Sequence, residues 1–308
     1  MNLLDQLIYP FRRPKPPSRA TAMGFFTDTS LCIGCKACEV ACKQWNQIPA
    51  DGMQWTGKSY DNTATLSATT WRHVHFVEQF ADGNSAAAPN PSVLPPAGYS
   101  PAEPERSSML ELLLNQPKSG RWLMMSDVCK HCAEAPCQLA CPTGAIIFNE
   151  FDNVYIQNDI CNGCGYCVAA CPFGVITRSV LDGHAHKCTL CFDRQRDGMV
   201  PACAKACPTE SIQFGPVEDL RERARTRVET LHTRGQTDAW LYGDKPSARY
   251  PQLNSFFLLL DRAGLYGLPE TPQLPQLQLL PDYARMTLGV LLTVAAIVLT
   301  FLSKTHGL

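Results

Sequence analysis

The sequence predicts an α+β chain built on a duplicated small unit, with one apolar helix toward its C-terminal end. Three observations predict it. Sixteen cysteines fall into four groups of four with none left over. The motif Cys-Pro-Thr-x-x-Ile occurs at 141–146 and again at 207–212, which marks an internal repeat. The stretch Met286–Leu302 carries no charge.

The cysteine groups are Cys32, Cys35, Cys38, Cys42; Cys129, Cys132, Cys137, Cys141; Cys161, Cys164, Cys167, Cys171; and Cys188, Cys191, Cys203, Cys207. The first and third have the C-x2-C-x2-C-x3-C spacing that holds [4Fe–4S] clusters in ferredoxins. The second widens the middle gap to four residues and the fourth widens it to eleven. Three neighbouring cysteines can each meet a different iron of one cubane, and the fourth iron then needs a more distant ligand. In two-cluster ferredoxins the last cysteine of a run serves the other cluster. The prolines after Cys141, Cys171 and Cys207 stop the local helix and turn the chain away.

Zinc and disulfides are the competing uses of cysteine. Structural zinc sites usually set two close ligands against two more about a dozen or more residues on, a pattern that only the fourth group approaches. A chain of 308 residues buries enough surface not to need that many disulfide staples. Four [4Fe–4S] clusters use every thiolate, so the chain is expected to carry electrons.

Composition agrees with that role. The 27 Lys+Arg and 28 Asp+Glu give a formal charge of −1, and nothing points to nucleic acid. Four clusters with their thiolates take the chain to roughly −9. Lys36, Lys130, Lys187 and Lys205 lie inside the motifs, where a lysine either offsets cluster charge or is simply solvated. His131, His184 and His186 sit near cysteines, but no nucleophile–base constellation or nucleotide fingerprint accompanies them. They read as surface or supporting residues, and no catalytic residue is expected.

Along the chain, residues 1–24 form a Pro- and Arg-rich tail. Its Arg12-Arg13 pair is followed by no apolar run, so it does not read as an export signal. The first group includes a helix over Lys36–Trp45. Residues 51–120 form an insertion, whose stretch 81–120 has seven prolines and reads as irregular surface chain with a short helix from Ser108. Ala145–Phe148 and Val154–Gln157 read as two strands about a turn near Asp152-Asn153. A helix opening at Pro216 and ending at Gly235 has apolar positions Val217, Leu220, Ala224, Val228 and Leu231 at helical spacing. Residues 216–282 are expected to wrap the domain or a partner. Residues 283–303 are expected to cross a membrane once, flanked by Arg285 and Lys304.

Several local motifs carry a resemblance. They are Ser30-Leu-Cys-Ile-Gly-Cys-Lys-Ala-Cys38 with Trp45-Asn46, Asn162-Gly-Cys-Gly-Tyr-Cys167, Lys187-Cys-Thr-Leu-Cys191, and Pro201-Ala-Cys203 with Cys207-Pro-Thr209. Outside the cysteines they include Arg227-Val-Glu-Thr-Leu-His-Thr-Arg-Gly235, Leu241-Tyr242 and Leu265-Tyr-Gly-Leu-Pro-Glu270. With these the chain resembles the iron–sulfur beta subunits of molybdopterin oxidoreductases, most of all that of membrane-bound respiratory formate dehydrogenase. The likeness covers about residues 28–302. The long insertion, the N-terminal tail and the absence of a proline after Cys42 depart from it.

The resemblance implies four ligand sets: Cys32, Cys35, Cys38 and Cys207; Cys188, Cys191, Cys203 and Cys42; Cys129, Cys132, Cys137 and Cys171; and Cys161, Cys164, Cys167 and Cys141. It implies two pseudo-twofold ferredoxin-like units, an outer one of 25–50 and 180–215 and an inner one of 121–179 inserted into it. It further implies a Mo/W-bis-pterin catalytic alpha subunit as donor and a membrane haem b gamma subunit as acceptor. The place implied is the inner membrane, with the bulk of the chain on the periplasmic side. Alternatives are the same role in a hydrogenase or in a polysulfide or dimethyl sulfoxide reductase, or a free polyferredoxin.

Overall fold

The computed structural model describes residues 21–50, 60, 61, 63–79, 85, 86, 121–247 and 250–306. For 85, 86, 276–282 and 301–306 only the backbone is described. Most of the tail, much of the insertion and the helix expected from Ser108 lie outside these residues.

In chain order the elements begin with β1 (Met23–Asp28), α1 (Ala37–Trp45), β2 (Arg72–Gln79), β3 (Ser85–Ala86) and β4 (Arg121–Val128). Then come α2 (Pro136–Leu139), β5 (Ile146–Phe148), β6 (Val154–Ile156), α3 (Tyr166–Ala170), β7 (Thr177–Arg178) and β8 (Ala185–His186). The remainder are α4 (Phe192–Arg196), α5 (Ala202–Lys205), β9 (Ile212–Pro216), α6 (Val217–Thr233), β10 (Trp240–Tyr242), β11 (Ser255–Leu259) and α7 (Gln276–His306).

The main sheet has the order β10-β11-β1-β9. Strand β1 runs parallel to β11 and antiparallel to β9. Phe26 stacks on Phe256 at 5.4 Å, and Phe25 meets Phe214 edge-on at 5.9 Å. Phe256, Phe257, Leu258 and Leu259 are all fully buried. Each such side chain contributes about 1.5–3 kcal/mol. Strand β11, an apolar run with both faces covered, is thus an inner strand of the sheet. Gly24 allows the close approach of β1, because a Cβ there would lie 1.8 Å from the Asn254 carbonyl oxygen.

A second sheet, β3-β2-β4, is a long antiparallel pairing in which Arg72 faces Val128 and Gln79 faces Arg121. The insertion contributes to this sheet ahead of the stretch 81–120 that reads as irregular. Its segment 72–79 is a strand, and Arg72, His73, Val74 and Val77 are buried. The expected hairpin forms, with Ile146 opposite Ile156 and Phe148 opposite Val154. The repeat partner of β5, β9, joins the main sheet instead. Helix α6 buries Val217, Leu220, Ala224 and Leu231, with Val228 partly buried, and its chain turns out at Gly235 with φ 86°.

Helix α7 is about 46 Å long at 1.5 Å per residue over its 31 residues. Its segment Tyr283–Thr300 is apolar, wholly unburied, and long enough to cross a bilayer. By length and composition this helix is a candidate membrane span.

Candidate electron-transfer site

The four cysteine groups fold alike. In each C-x-x-C loop the residue before the second cysteine is left-handed: Gly34 at φ 67°, His131 at 41°, Gly163 at 71° and Leu190 at 57°. Two are glycines, for which this conformation is easy. His131 and Leu190 have no such freedom, and each stores on the order of 1–3 kcal/mol that complete burial holds in place. The turn aims an amide back at the first cysteine: Leu190 N–H donates to Cys188 Sγ at 3.3 Å, and the Gly34 amide acts on Cys32 in the same way. Such backbone concavities suit anions.

A helix of about a turn or more lies within each group and carries its third cysteine. Cys38 and Cys42 lie in α1, while Cys137, Cys167 and Cys203 lie in α2, α3 and α5. Cys141, Cys171 and Cys207 come just past the ends of those three helices.

Two cavities show how the groups combine. One is lined by Cys32, Cys35 and Cys38 from the first group and Cys207 from the fourth. The other is lined by Cys161, Cys164 and Cys167 from the third group and Cys141 from the second. Among the remaining eight thiols, Cys42 and Cys137 each respond to three others, while Cys188 responds to Cys129 as well as to Cys191 and Cys203. Burial pushes the Cys42 thiol well up, and Cys188, Cys203 and Cys191 push it the same way. Burial likewise raises Cys137, together with Cys171, Cys132 and Cys129.

Burial is also what raises Cys38 and Cys132 to about 12 and Cys167 and Cys191 to about 11. Clustered buried thiols are poor places for free thiolates unless a metal group takes up the charge. Among the described residues, no three His, Cys, Asp or Glu side chains converge on a single-ion site. Four thiols around a cavity fit the donor set of a cluster.

Polar residues support these thiols. Tyr250 Oη donates to Cys132 Sγ at 3.1 Å, and Asn46 Nδ2 lies 3.7 Å from Cys42 Sγ. Arg72 Nη2 donates to Cys203 Sγ at 3.3 Å, and Ser126 Oγ lies 3.2 Å from Cys38 Sγ. Of the motif lysines, Lys130 and Lys187 are buried. Lys130 pairs with Asp127, while Lys187 donates to the carbonyls of Val154 and Cys188. Lys36 meets Asp61 and Glu39, and Lys205 is exposed. His131 is buried next to Cys132, and His186 Nε2 lies 2.8 Å from Asp182. Sequence reasoning missed Arg72, Ser126 and Tyr250, which lie far from their thiols in the chain. Only the Trp45-Asn46 motif pointed toward one of the supporting residues.

Comparison with known proteins accords with this geometry. Two models described as 4Fe-4S dicluster domain match residues 31–145 and 120–217. The chain is 37% identical over 249 residues to a formate dehydrogenase iron-sulfur subunit of Haemophilus influenzae, covering 80% of this chain and 68% of that protein. It is 37% identical over 251 residues to the formate dehydrogenase-O iron-sulfur subunit of Escherichia coli, covering 81% and 71%. The B subunit of the anaerobic dimethyl sulfoxide reductase of Escherichia coli is 28% identical over 209 residues, 66% of this chain and 78% of the relative. The chain binds multiple [4Fe–4S] clusters and serves as an electron-transfer subunit.

Proposed function

The chain belongs to the formate dehydrogenase iron–sulfur subunits, and on that premise we propose that it relays electrons through four [4Fe–4S] clusters. The donor is a formate-oxidising Mo/W-bis-pterin subunit, and the acceptor is a membrane haem b subunit that reduces quinone. A bound cluster supplies one-electron exchange; this chain holds it, shields it and tunes it. The observation that carries the reading is that each of two cavities combines three cysteines of one group with one from another.

The ligand sets are Cys32, Cys35, Cys38 and Cys207; Cys42, Cys188, Cys191 and Cys203; Cys129, Cys132, Cys137 and Cys171; and Cys141, Cys161, Cys164 and Cys167. They make two pseudo-twofold units, the inner within the outer. The contacts support this order along the path. Arg72 feels the thiolates of both Cys38 and Cys203, which joins the first set to the second. Cys129 is, after burial, the largest influence on Cys188, which joins the second set to the third. Helix α2 and the residues just beyond it bear Cys137 and Cys141, which join the third set to the last.

The two ends are open. Cys35 and Cys164 are the exposed cysteines, one in each terminal set. Ile33 and Val40 are exposed near Cys35, and Tyr166, Val180 and Leu181 are exposed in the region of Cys164. Apolar surface next to a terminal cluster suits docking of the donor at one end and the acceptor at the other. Helix α7 anchors the chain, with its bulk on the periplasmic side.

Acid-labile sulfide analysis of the anaerobically purified complex, to which haem does not contribute, tests the cluster count. Four cubanes require about sixteen sulfides per chain. About half that amount would limit the chain to two clusters and end the four-cluster reading.

A further inference from the structure

Arg72 is 1% exposed and lies between two of the cysteine sets. Its guanidinium is charged at any ordinary pH and carries five N–H donors. Nη2 donates to Cys203 Sγ at 3.3 Å. Nη1 donates to the Ser126 carbonyl at 3.2 Å and lies 3.4 Å from Ser126 Oγ, the same hydroxyl that approaches Cys38 Sγ at 3.2 Å. The Phe25 ring covers the guanidinium at 4.7 Å, and Nε is buried without a hydrogen-bond partner.

Among the described residues no carboxylate forms an ion pair with Arg72. The groups able to carry negative charge that its contacts reach are Cys203 Sγ, directly, and Cys38 Sγ, through the Ser126 hydroxyl. An isolated buried cation is strongly disfavoured, and it persists only with an opposite charge at hand. Here the available opposite charge is that of thiolates from two different ligand sets.

We propose that Arg72 is a counter-ion shared by two clusters, one held by Cys32, Cys35, Cys38 and Cys207 and the other by Cys42, Cys188, Cys191 and Cys203. It is a positioning residue that raises the reduction potential of both. The sign follows from charge: reduction adds an electron to each cluster, and a fixed cation at hydrogen-bond distance from one ligand sulfur stabilises that added charge. One side chain thereby sets two neighbouring steps of the relay together. Ser126 extends the effect to Cys38 through its hydroxyl. This inference rests on the proposed ligand sets.

The test is a potentiometric EPR titration of the intact complex, first with the native chain and then with Arg72→Gln, Arg72→Lys and Ser126→Ala. Four native [4Fe–4S] signals establish the reading on which the inference depends; fewer would sink that reading independently of the variants. The expected result for Arg72→Gln is that two of the four midpoint potentials fall and the other two stay. Arg72→Lys restores the charge and gives smaller falls in the same two. Ser126→Ala lowers only one of that pair. Uniform shifts in all four, a shift in one alone, or no shift would overturn the proposal. If Arg72→Gln does not assemble its clusters, Arg72→Lys is read in its place by the same criteria. Failure of both arginine variants while Ser126→Ala loads with native potentials would also overturn it, since Arg72 would then be structural only.

Discussion

Cys38 and Cys207 line one cavity, although one belongs to the first cysteine group and the other to the fourth. Strand β9 makes this possible. It begins shortly after Cys207 and pairs antiparallel with β1, which ends shortly before Cys32. The sheet therefore carries the fourth group back onto the first.

The proposed exchange of the last cysteine between groups has a direct consequence. Changing Cys171→Ser is expected to damage the cluster held by Cys129, Cys132 and Cys137, and to leave that of Cys161, Cys164 and Cys167 loaded. Spin-quantified EPR distinguishes the two. Loss of the cluster in the third group's own loop would mean that each group closes on itself.

Tyr250 donates to Cys132 Sγ from a strand-free stretch of the chain. A hydrogen bond to a ligand sulfur stabilises the more negative, reduced cluster. Tyr250→Phe should lower the potential of one cluster alone. It should also reduce stability by about 0.5–1.5 kcal/mol, the net contribution of a typical hydrogen bond. An unchanged potential together with an unchanged denaturation midpoint would remove Tyr250 from the site.

Asp61 supplies a pH-dependent element. Burial works to raise its carboxyl, but His73, the Ala64 amide and Lys36 outweigh it and hold the group well below the usual carboxylate range. A depressed carboxyl stabilises the fold above its unfolded value, about 3.9, and that contribution is lost as pH falls toward the folded value. Asp61→Asn is expected to destabilise by about 1.5–3 kcal/mol near neutral pH. The gap between variant and native chain should narrow below about pH 4. Denaturation of both proteins across the pH range checks this, and a gap that widens in acid would reverse the sign.

Much of the site was legible in the sequence and part of the fold was not. Cysteine spacing is local, so the four groups, the β5–β6 hairpin and the buried stripe of α6 could be read directly. Strand β2 could not, because it lies inside a long insertion after a polar stretch and its partner β4 lies beyond that insertion. With β2 went Arg72. Strand β11 gave an unbroken apolar run, which looks the same whether it covers a surface or fills a sheet. Its parallel pairing with β1 joins distant parts of the chain, and no local pattern encodes that.

Helix α7 supplies attachment and no described cluster thiol. A chain ended before Gln276 and produced without partners should move from the membrane fraction to the soluble fraction with its iron content intact. Persistence in the membrane would assign attachment to another surface.

The central claim is that these clusters are wired to formate oxidation. The direct measurement is EPR of the complex, purified anaerobically in mild detergent, before and after formate is added. Reduced [4Fe–4S] signals produced by formate alone are the predicted result. Signals that appear only with dithionite would contradict it, and would point to a different donor or acceptor for the same relay.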